Sequence, residues 1–203
     1  MPTGATARFP RTRPVAGKSV SLRPLERSDQ AALLEFFKRL PVDERRMLKD
    51  DVTNPLVLSS WCTSIDYERV LPLLAFDGPR IIGDATLHRS GGGWSQHVAK
   101  VRVTIDTEWR RRGLGRALVT ELIDTALELK VSMVDAEIMT EQKGALKLFD
   151  QLGFVAVATL PQHVLDLNHQ AHDLVLLSRT LIPPEQLSPD AFHDEHIDVG
   201  GGG

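Results

Sequence analysis

The sequence predicts an α/β (α+β) domain with a mixed, mostly antiparallel sheet, and three observations predict it. Val101, Val103 and Ile105 alternate with polar residues, then run into the glycine turn Arg110-Arg111-Arg112-Gly113-Leu114-Gly115-Arg116 and a long amphipathic stretch from Leu118 to Leu129. Two apolar runs, Val70 to Phe76 and Arg80 to His88, flank Asp77-Gly78-Pro79, as in an antiparallel hairpin. Period-two and helical patterns interleave along the chain, giving about 6–7 strands and about 4 helices.

Taken in order, Met1 to Lys18 is rich in Pro, Thr and Arg and reads as a flexible basic arm. Val20-Ser21-Leu22-Arg23 alternates as a first strand. Ser28 or Asp29 caps a helix in which Leu33, Phe36, Phe37 and Leu40 share a face, ended by Pro41. Asp43 to Asp51 is a second, charged helical piece, broken by Asn54-Pro55, and Leu56 to Trp61 is ambiguous. After the hairpin, Ser90 to Gly93 is a loop and His97 to Asp106 the next strand. The helix beyond the glycine turn repeats Leu118/Val119, Leu122/Ile123 and Ala126/Leu127, an apolar stripe for packing on a sheet. Met133 to Met139 is a strand, Gln142 to Leu152 a helix stopped by Gly153, and Phe154 to Leu160 and Asp173 to Leu181 the closing strands. The expected organisation is one domain over residues 19–182, with a disordered acidic and glycine-rich tail over 183–203.

Composition narrows the function. The chain holds 203 residues with 42% hydrophobic content, enough for a sizeable core. No apolar run reaches the roughly 18–20 residues of a membrane span. A single cysteine, Cys62, precludes an internal disulfide, fits a reducing, cytoplasmic setting, and reads as a small hydrophobe. With 24 Lys+Arg against 27 Asp+Glu, the chain is a poor partner for a nucleic-acid backbone. The arginine cluster is therefore aimed at one small anion.

A glycine turn opening a helix presents first-turn N–H groups that have no partner inside the helix, and the helix dipole adds positive charge there. Such a turn suits phosphate or pyrophosphate. A P-loop requires Gly-Lys-Ser/Thr, but Gly115 is followed by Arg116-Ala117; a dinucleotide fingerprint requires a third small residue where Leu118 stands. The spacing Arg110-x-x-Gly113-x-Gly115 instead matches the pyrophosphate loop of the GNAT acetyltransferases. Downstream, Gln142-x-x-Ala145-x-x-Leu148-Phe149-x-x-x-Gly153-Phe154 resembles that family's Asn-x-x-Ala-x-x-Leu-Tyr-x-x-x-Gly-Phe. The chain thus resembles the GNAT superfamily over roughly Val20 to Leu181. Its opening, Leu22-Arg23-Pro24 with Asp29 and Phe36-Phe37, is similar to the acetyltransferase domains of bacterial protein-lysine acetyltransferases.

The resemblance implies the acyl-CoA N-acyltransferase fold, with splayed central strands, and acetyl-CoA (coenzyme A) as cofactor. It implies cofactor contacts from Val103, Thr104 and Ile105, which would flank the pantetheine arm. The loop Arg110, Arg111, Arg112, Gly113, Leu114, Gly115, Arg116 and Ala117 would hold the pyrophosphate, and Gln142, Ala145, Leu148 and Phe149 would line the channel. The expected reaction is direct attack of a primary amine (a protein lysine or N-terminus, or a small molecule) on the thioester, with a non-catalytic acyl-CoA sensor as the rival. A homodimer is left open, and neither nucleic acid, membrane nor metal is expected. Phe149 stands where many members carry the tyrosine that protonates the leaving thiolate, and the one tyrosine, Tyr67, is distant in sequence. The ammonium must lose a proton before attack, so a general base or a water relay helps; His97, Glu137 and, behind them, His172 with Asp173, and Asp84 are the candidates for the base. The Val103 N–H is the expected oxyanion donor. Trp61 and Trp94 would flank a cationic acceptor.

Overall fold

The computed structural model describes residues 4–183 and 186. Eight strands form one sheet: β1 (Arg11–Val15), β2 (Lys18–Pro24), β3 (Val70–Asp77), β4 (Arg80–Arg89), β5 (Val98–Ile105), β6 (Met133–Met139), β7 (Val155–Leu165) and β8 (Ala171–Thr180). Their spatial order is β1-β2-β3-β4-β5-β6-β8-β7, and every neighbouring pair is antiparallel except β5 with β6. The five helices are α1 (Gln30–Lys38), α2 (Val42–Arg46), α3 (Pro55–Thr63), α4 (Leu114–Glu128) and α5 (Lys143–Gln151).

The eight strands and five helices exceed the expected about 6–7 and about 4, the closing strands run over Val155–Leu165 and Ala171–Thr180, and three further stretches differ from expectation. The ambiguous stretch at Leu56 is α3, for a local reason: the Asn54 side chain accepts the Leu56 N–H at 3.0 Å and Pro55 occupies the first turn, where its missing N–H costs nothing. The second charged helix is short, ending at Arg46. The expected flexible arm instead carries β1, paired with β2 from Arg11↔Leu22 to Val15↔Lys18. Its arginines are not loose charges, because Arg8, Arg11 and Arg13 converge on Glu121, a carboxylate of α4 whose side chain is 1% exposed. The expected disordered tail lies outside the described residues, except for Pro183 and Gln186.

The sheet separates two apolar clusters. On one face α4 packs over β4 and β5 through Leu114, Leu118, Leu122 and Ala126 against Ala85, Leu87 and Val101, with Phe149 of α5 joining below. On the other, α1 and α3 pack through Leu33, Phe36, Phe37 and Leu58 against Leu74, Phe76 and Ile81. Between α1–α3 and the middle of the sheet the apolar packing stops. There β4 and β5 turn a polar file toward the helices: Asp84 opposite Thr104, Thr86 opposite Arg102, and His88 opposite Lys100.

Removing one partner from a buried ion cluster leaves the remaining charge without compensation. Glu121→Ala is expected to lower unfolding free energy by about 3–5 kcal/mol in urea titrations. A loss under about 1 kcal/mol would mean that the arginine arm is not fixed by this carboxylate.

Candidate functional site

The site begins with a break in hydrogen bonding. β5 and β6 pair in register only at Val98↔Met133, Ala99↔Val134 and Lys100↔Asp135; beyond Lys100 the two strands have no register partners. The backbone of a strand points to alternate sides. Asp106 donates to Ile82 of the β4 side, whereas His97 accepts from Ser132 and Met133 on the β6 side. Even-numbered residues of β5 therefore bond toward β4, and Val103 and Ile105 face the gap. This corrects Thr104 as a backbone contact, since its N–H and C=O belong to the β4 ladder. The Ile105 carbonyl is itself capped by the Arg110 guanidinium at 3.2 Å, which leaves Val103 with both of its groups facing the gap.

The gap runs straight into the start of α4. Gly113, at the N-cap, has φ +87°, a left-handed value that a side chain resists, and Arg111 before it is also left-handed at +58°. Left-handed residues alternating with Arg112, which is not left-handed, curl the N–H groups into a concave nest. Leu114, Gly115 and Arg116 have first-turn N–H groups without an acceptor in the helix. Ala117 does not belong with them, because its N–H donates to the Gly113 carbonyl at 3.0 Å. Gly115 is glycine for a different reason from Gly113: a Cβ there would come within 3.0 Å of Leu148 Cδ2 and 3.7 Å of Ile105 Cγ1, so its bareness lets α4 seat on α5 and β5.

The loop side chains divide. Arg110 is committed to a two-pronged ion pair with Glu44 of α2, a correction to its expected place on the anion; it ties the loop to α2 and to the end of β5. Arg112 stacks over Trp109 at 5.7 Å, and Arg116 bonds Gln151 at 3.3 Å. Leu114 is fully buried and offers only backbone. On α5, Ala145 and Phe149 line the cavity, while Leu148 lies against Gly115. Phe149 sits edge-on to Phe154 at 4.9 Å in the core. The Gln142 side-chain oxygen Oε1 accepts the Met139 N–H, fixing the end of β6.

A cavity of about 1070 Å³ opens from the gap beneath α1–α3. Its floor is the polar file of β4 and β5 with Glu137 of β6; its roof includes Leu33, Phe37, Leu48, Val52, Trp61 and Ile65. Of the four expected bases the structure brings two into this cavity. Glu137 lies between Lys49 and Lys100, and although burial opposes ionisation, the two ammonium groups hold its carboxyl at about 2. It is too weak a base near neutral pH, so its expected role is corrected to that of an anchor for two lysines. His97 is at the other end of β5, before the β6 pairing, and does not line the cavity. His172 also lies outside, its Nδ1 3.0 Å from Glu141 and its Nε2 3.6 Å from Asp166; the adjacent Asp173 instead accepts the Gln162 N–H.

Asp84, the weakest candidate from sequence, is the group best suited to the task. Burial pushes its carboxyl up to about 7, although Arg102 pulls the other way. Two residues along β4, the Thr86 hydroxyl lies 3.0 Å from His88 Nε2, and burial with the charges of Arg102, Lys49 and Lys100 holds that imidazole neutral, at about 4. Tyr67 donates to the Leu25 carbonyl at 2.6 Å and its hydroxyl pKa is raised by burial, so it is not an acid for the cavity. Cys62 is buried and its thiol raised by desolvation, as a structural cysteine should be. Trp61 reaches the cavity edge-on to Phe37, whereas Trp94 is 96% exposed on its loop, so the expected tryptophan pair does not form. Among the described residues no group of His, Cys, Asp and Glu is placed to hold a metal, and no helix is long and apolar enough to cross a membrane.

The raised Asp84 pKa carries a stability consequence. The folded chain keeps a proton on Asp84 that the unfolded chain has lost above 3.8, so this group's contribution to stability falls as pH rises from about 4 to about 7. Asp84→Asn removes that penalty. Its urea midpoint relative to the parent is expected to climb across this window, and a pH-independent difference would contradict the assignment.

Comparisons with known proteins identify the family. A model of the acetyltransferase (GNAT) family matches residues 32–154, which include the polar file, the gap, the loop and α5. The L-amino acid N-acyltransferase MnaT of Escherichia coli is 25% identical over 145 residues, 70% of this chain and 84% of the relative. Two solved structures share the fold: yncA of Salmonella typhimurium, solved with its cofactor acetyl-CoA (19% identical, TM-score 0.71, 86% of this chain and 99% of that one), and the GNAT domain of S. lividans PAT (18% identical, TM-score 0.71, 86% and 98%). With the family model spanning more than half of the residues, the chain belongs to the acetyltransferase (GNAT) family.

Proposed function

We propose that this chain moves an acetyl group from acetyl-CoA to a primary amine by direct attack. The observation that carries the reading is the pairing gap beyond Lys100, which runs without interruption into the N–H nest at the start of α4. The residues present fit coenzyme A. Val103 offers a free N–H and C=O to an extended amide-bearing arm, and Leu114, Gly115 and Arg116 offer N–H groups to a pyrophosphate. Ala145 and Phe149 wall the channel between them. When bound, acetyl-CoA supplies an electrophilic thioester carbonyl.

The chain's own residues then divide the work. Asp84 takes the proton from the ammonium, since a carboxyl held near 7 is matched to that transfer at neutral pH. The Val103 N–H is placed to steady negative charge growing on a carbonyl oxygen in the gap. No side chain has to protonate the departing sulfur, because a thiol of pKa about 8.5 leaves as thiolate without obligatory help. Phe149 in the tyrosine position is compatible with turnover on this account.

The acceptor is drawn from two kinds. The name of the E. coli relative supports the α-amine of a free amino acid, and the opening Leu22-Arg23-Pro24 supports a protein amine. A sensor that binds acetyl-CoA without chemistry is the competing reading, and release of free CoA separates them. With saturating amine, kcat is expected to rise with pH through about 7, the carboxyl becoming a base as it ionises. Asp84→Asn is expected to lower kcat about 10²–10⁴-fold and to abolish that limb. Binding of acetyl-CoA with no CoA release across an amine panel would favour the sensor.

A further inference from the structure

The acceptor cavity holds an arginine with nothing to bind. Arg102 lies on β5 opposite Thr86, one step diagonally from Asp84, which faces Thr104. It lines the cavity and is exposed to it. Among the described residues, three other cations near the polar file have an anion: Lys49 and Lys100 hold Glu137, and Arg89 meets the Glu68 carbonyl and carboxylate. Arg69, also on the wall, stands beside Arg89 at the far end of β4 from Asp84. Arg102 has no hydrogen bond or ion pair among the described residues, and its charge acts on Asp84.

We propose that Arg102 binds the carboxylate of the acceptor, so that the acceptor is a free α-amino acid with an apolar side chain. This deepens the acetyl-transfer reading and rests on it. Diagonal neighbours on adjacent strands are about 7–8 Å apart at their backbones, and Asp and Arg side chains directed into one cavity close that distance to the span of a single small zwitterion. In an α-amino acid the ammonium and the carboxylate sit on one carbon. A guanidinium grips the planar carboxylate with two parallel N–H donors, and the ammonium is then delivered to Asp84. A lysine side chain within a protein carries no carboxylate beside its amine and leaves Arg102 unmatched. The third substituent on that carbon meets a roof whose surface is mainly apolar, from Leu33, Phe37, Leu48, Val52, Trp61 and Ile65, with Asp50 and Asp66 also on the wall.

The arrangement also couples binding to proton transfer. Arg102 favours the ionised form of Asp84 and so weakens it as a base. An acceptor carboxylate on Arg102 offsets that influence, and Asp84 becomes more basic when the correct amine is in place.

The test compares L-leucine, L-leucinamide and a lysine peptide blocked at both ends, using the whole chain and Arg102→Gln. Leucine is expected to be the best acceptor. Arg102→Gln is expected to lower its kcat/KM about tenfold to a hundredfold, mainly through KM, as loss of a charge-assisted contact does. Leucinamide should change less than about threefold, which a merely structural role for Arg102 would not produce. The kcat limb should also move to higher pH in the variant. Leucinamide or the blocked peptide matching leucine, or equal losses for leucine and leucinamide, would overturn the proposal. If no amine releases CoA, the acetyl-transfer reading falls. Calorimetric titration of the CoA-loaded protein with leucine and leucinamide then still decides the arginine's role. Tighter binding of leucine that is lost in Arg102→Gln supports it, and equal binding overturns it.

Discussion

An unpaired stretch of backbone in the middle of a sheet is expensive, and the rest of this structure is arranged around one. β5 and β6 are joined for three register pairs and then part, leaving the N–H and C=O of Val103 facing a gap where a neighbouring strand would run. A buried backbone group without a partner costs about 1–3 kcal/mol. The fold tolerates the break because both strands are secured on their other sides, β5 by β4 from Ala99 to Ile105 and β6 by β8 from Met133 to Met139. At its mouth Arg110 caps the Ile105 carbonyl and pairs with Glu44, so the end of β5, the loop and α2 are held as one piece. The gap is thus built into the fold, with the Val103 backbone groups turned toward it.

The two faces of β4 and β5 explain why chemistry and stability can coexist within a few residues. One face packs α4 with Ala85, Leu87 and Val101, while the other carries Asp84, Thr86, His88, Lys100, Arg102 and Thr104 beneath α1–α3. Polar side chains under a helical roof are desolvated, and desolvation moves the two titrating groups of β4 in opposite directions. The carboxylic acid becomes easier to keep protonated and the imidazole harder to protonate. Both are brought toward neutral forms in the resting cavity, and the nearest strongly charged group without a counterion is Arg102. The energetic cost of that polarity is borne by the surrounding core, in which Leu73, Leu74, Ile82 and Leu87 are fully buried.

Much of this was legible from the chain alone. Period-two alternation located the central strands, and the glycine spacing placed the nest, because both patterns report local backbone geometry that no tertiary contact overrides. Gly113 and Gly115 look equivalent in the sequence but serve different ends: one takes a left-handed φ, the other vacates space for Leu148. The bases were harder. Glu137 attracts notice as a carboxylate inside a strand, yet its meaning depends on Lys49, 88 residues away, which only the folded chain brings to it. Asp84 draws little notice in the sequence because Asp-Ala-Thr-Leu-His reads as an ordinary half-solvated strand. The available signal was the facing strand, Lys-Val-Arg-Val-Thr, whose polar residues fall on the same face. Two adjacent strands with a shared polar face in the centre of a sheet, followed by a helix-capping anion loop, mark a covered cavity more than an exposed surface. The N-terminal arginines look like a loose basic arm for the same reason that Glu137 looks like a base: Glu121 lies more than a hundred residues from Arg13 and looks like a surface position of an amphipathic helix.

The most direct test of the central claim is calorimetric titration of the protein with acetyl-CoA, with NAD as the control pyrophosphate ligand. If the strand gap and the α4 nest form one acyl-CoA site, acetyl-CoA binds at a single site with micromolar affinity and NAD does not compete. Equal affinity for the two would mean that the nest binds pyrophosphate alone and the gap plays no part. No binding of acetyl-CoA would contradict the account at its base.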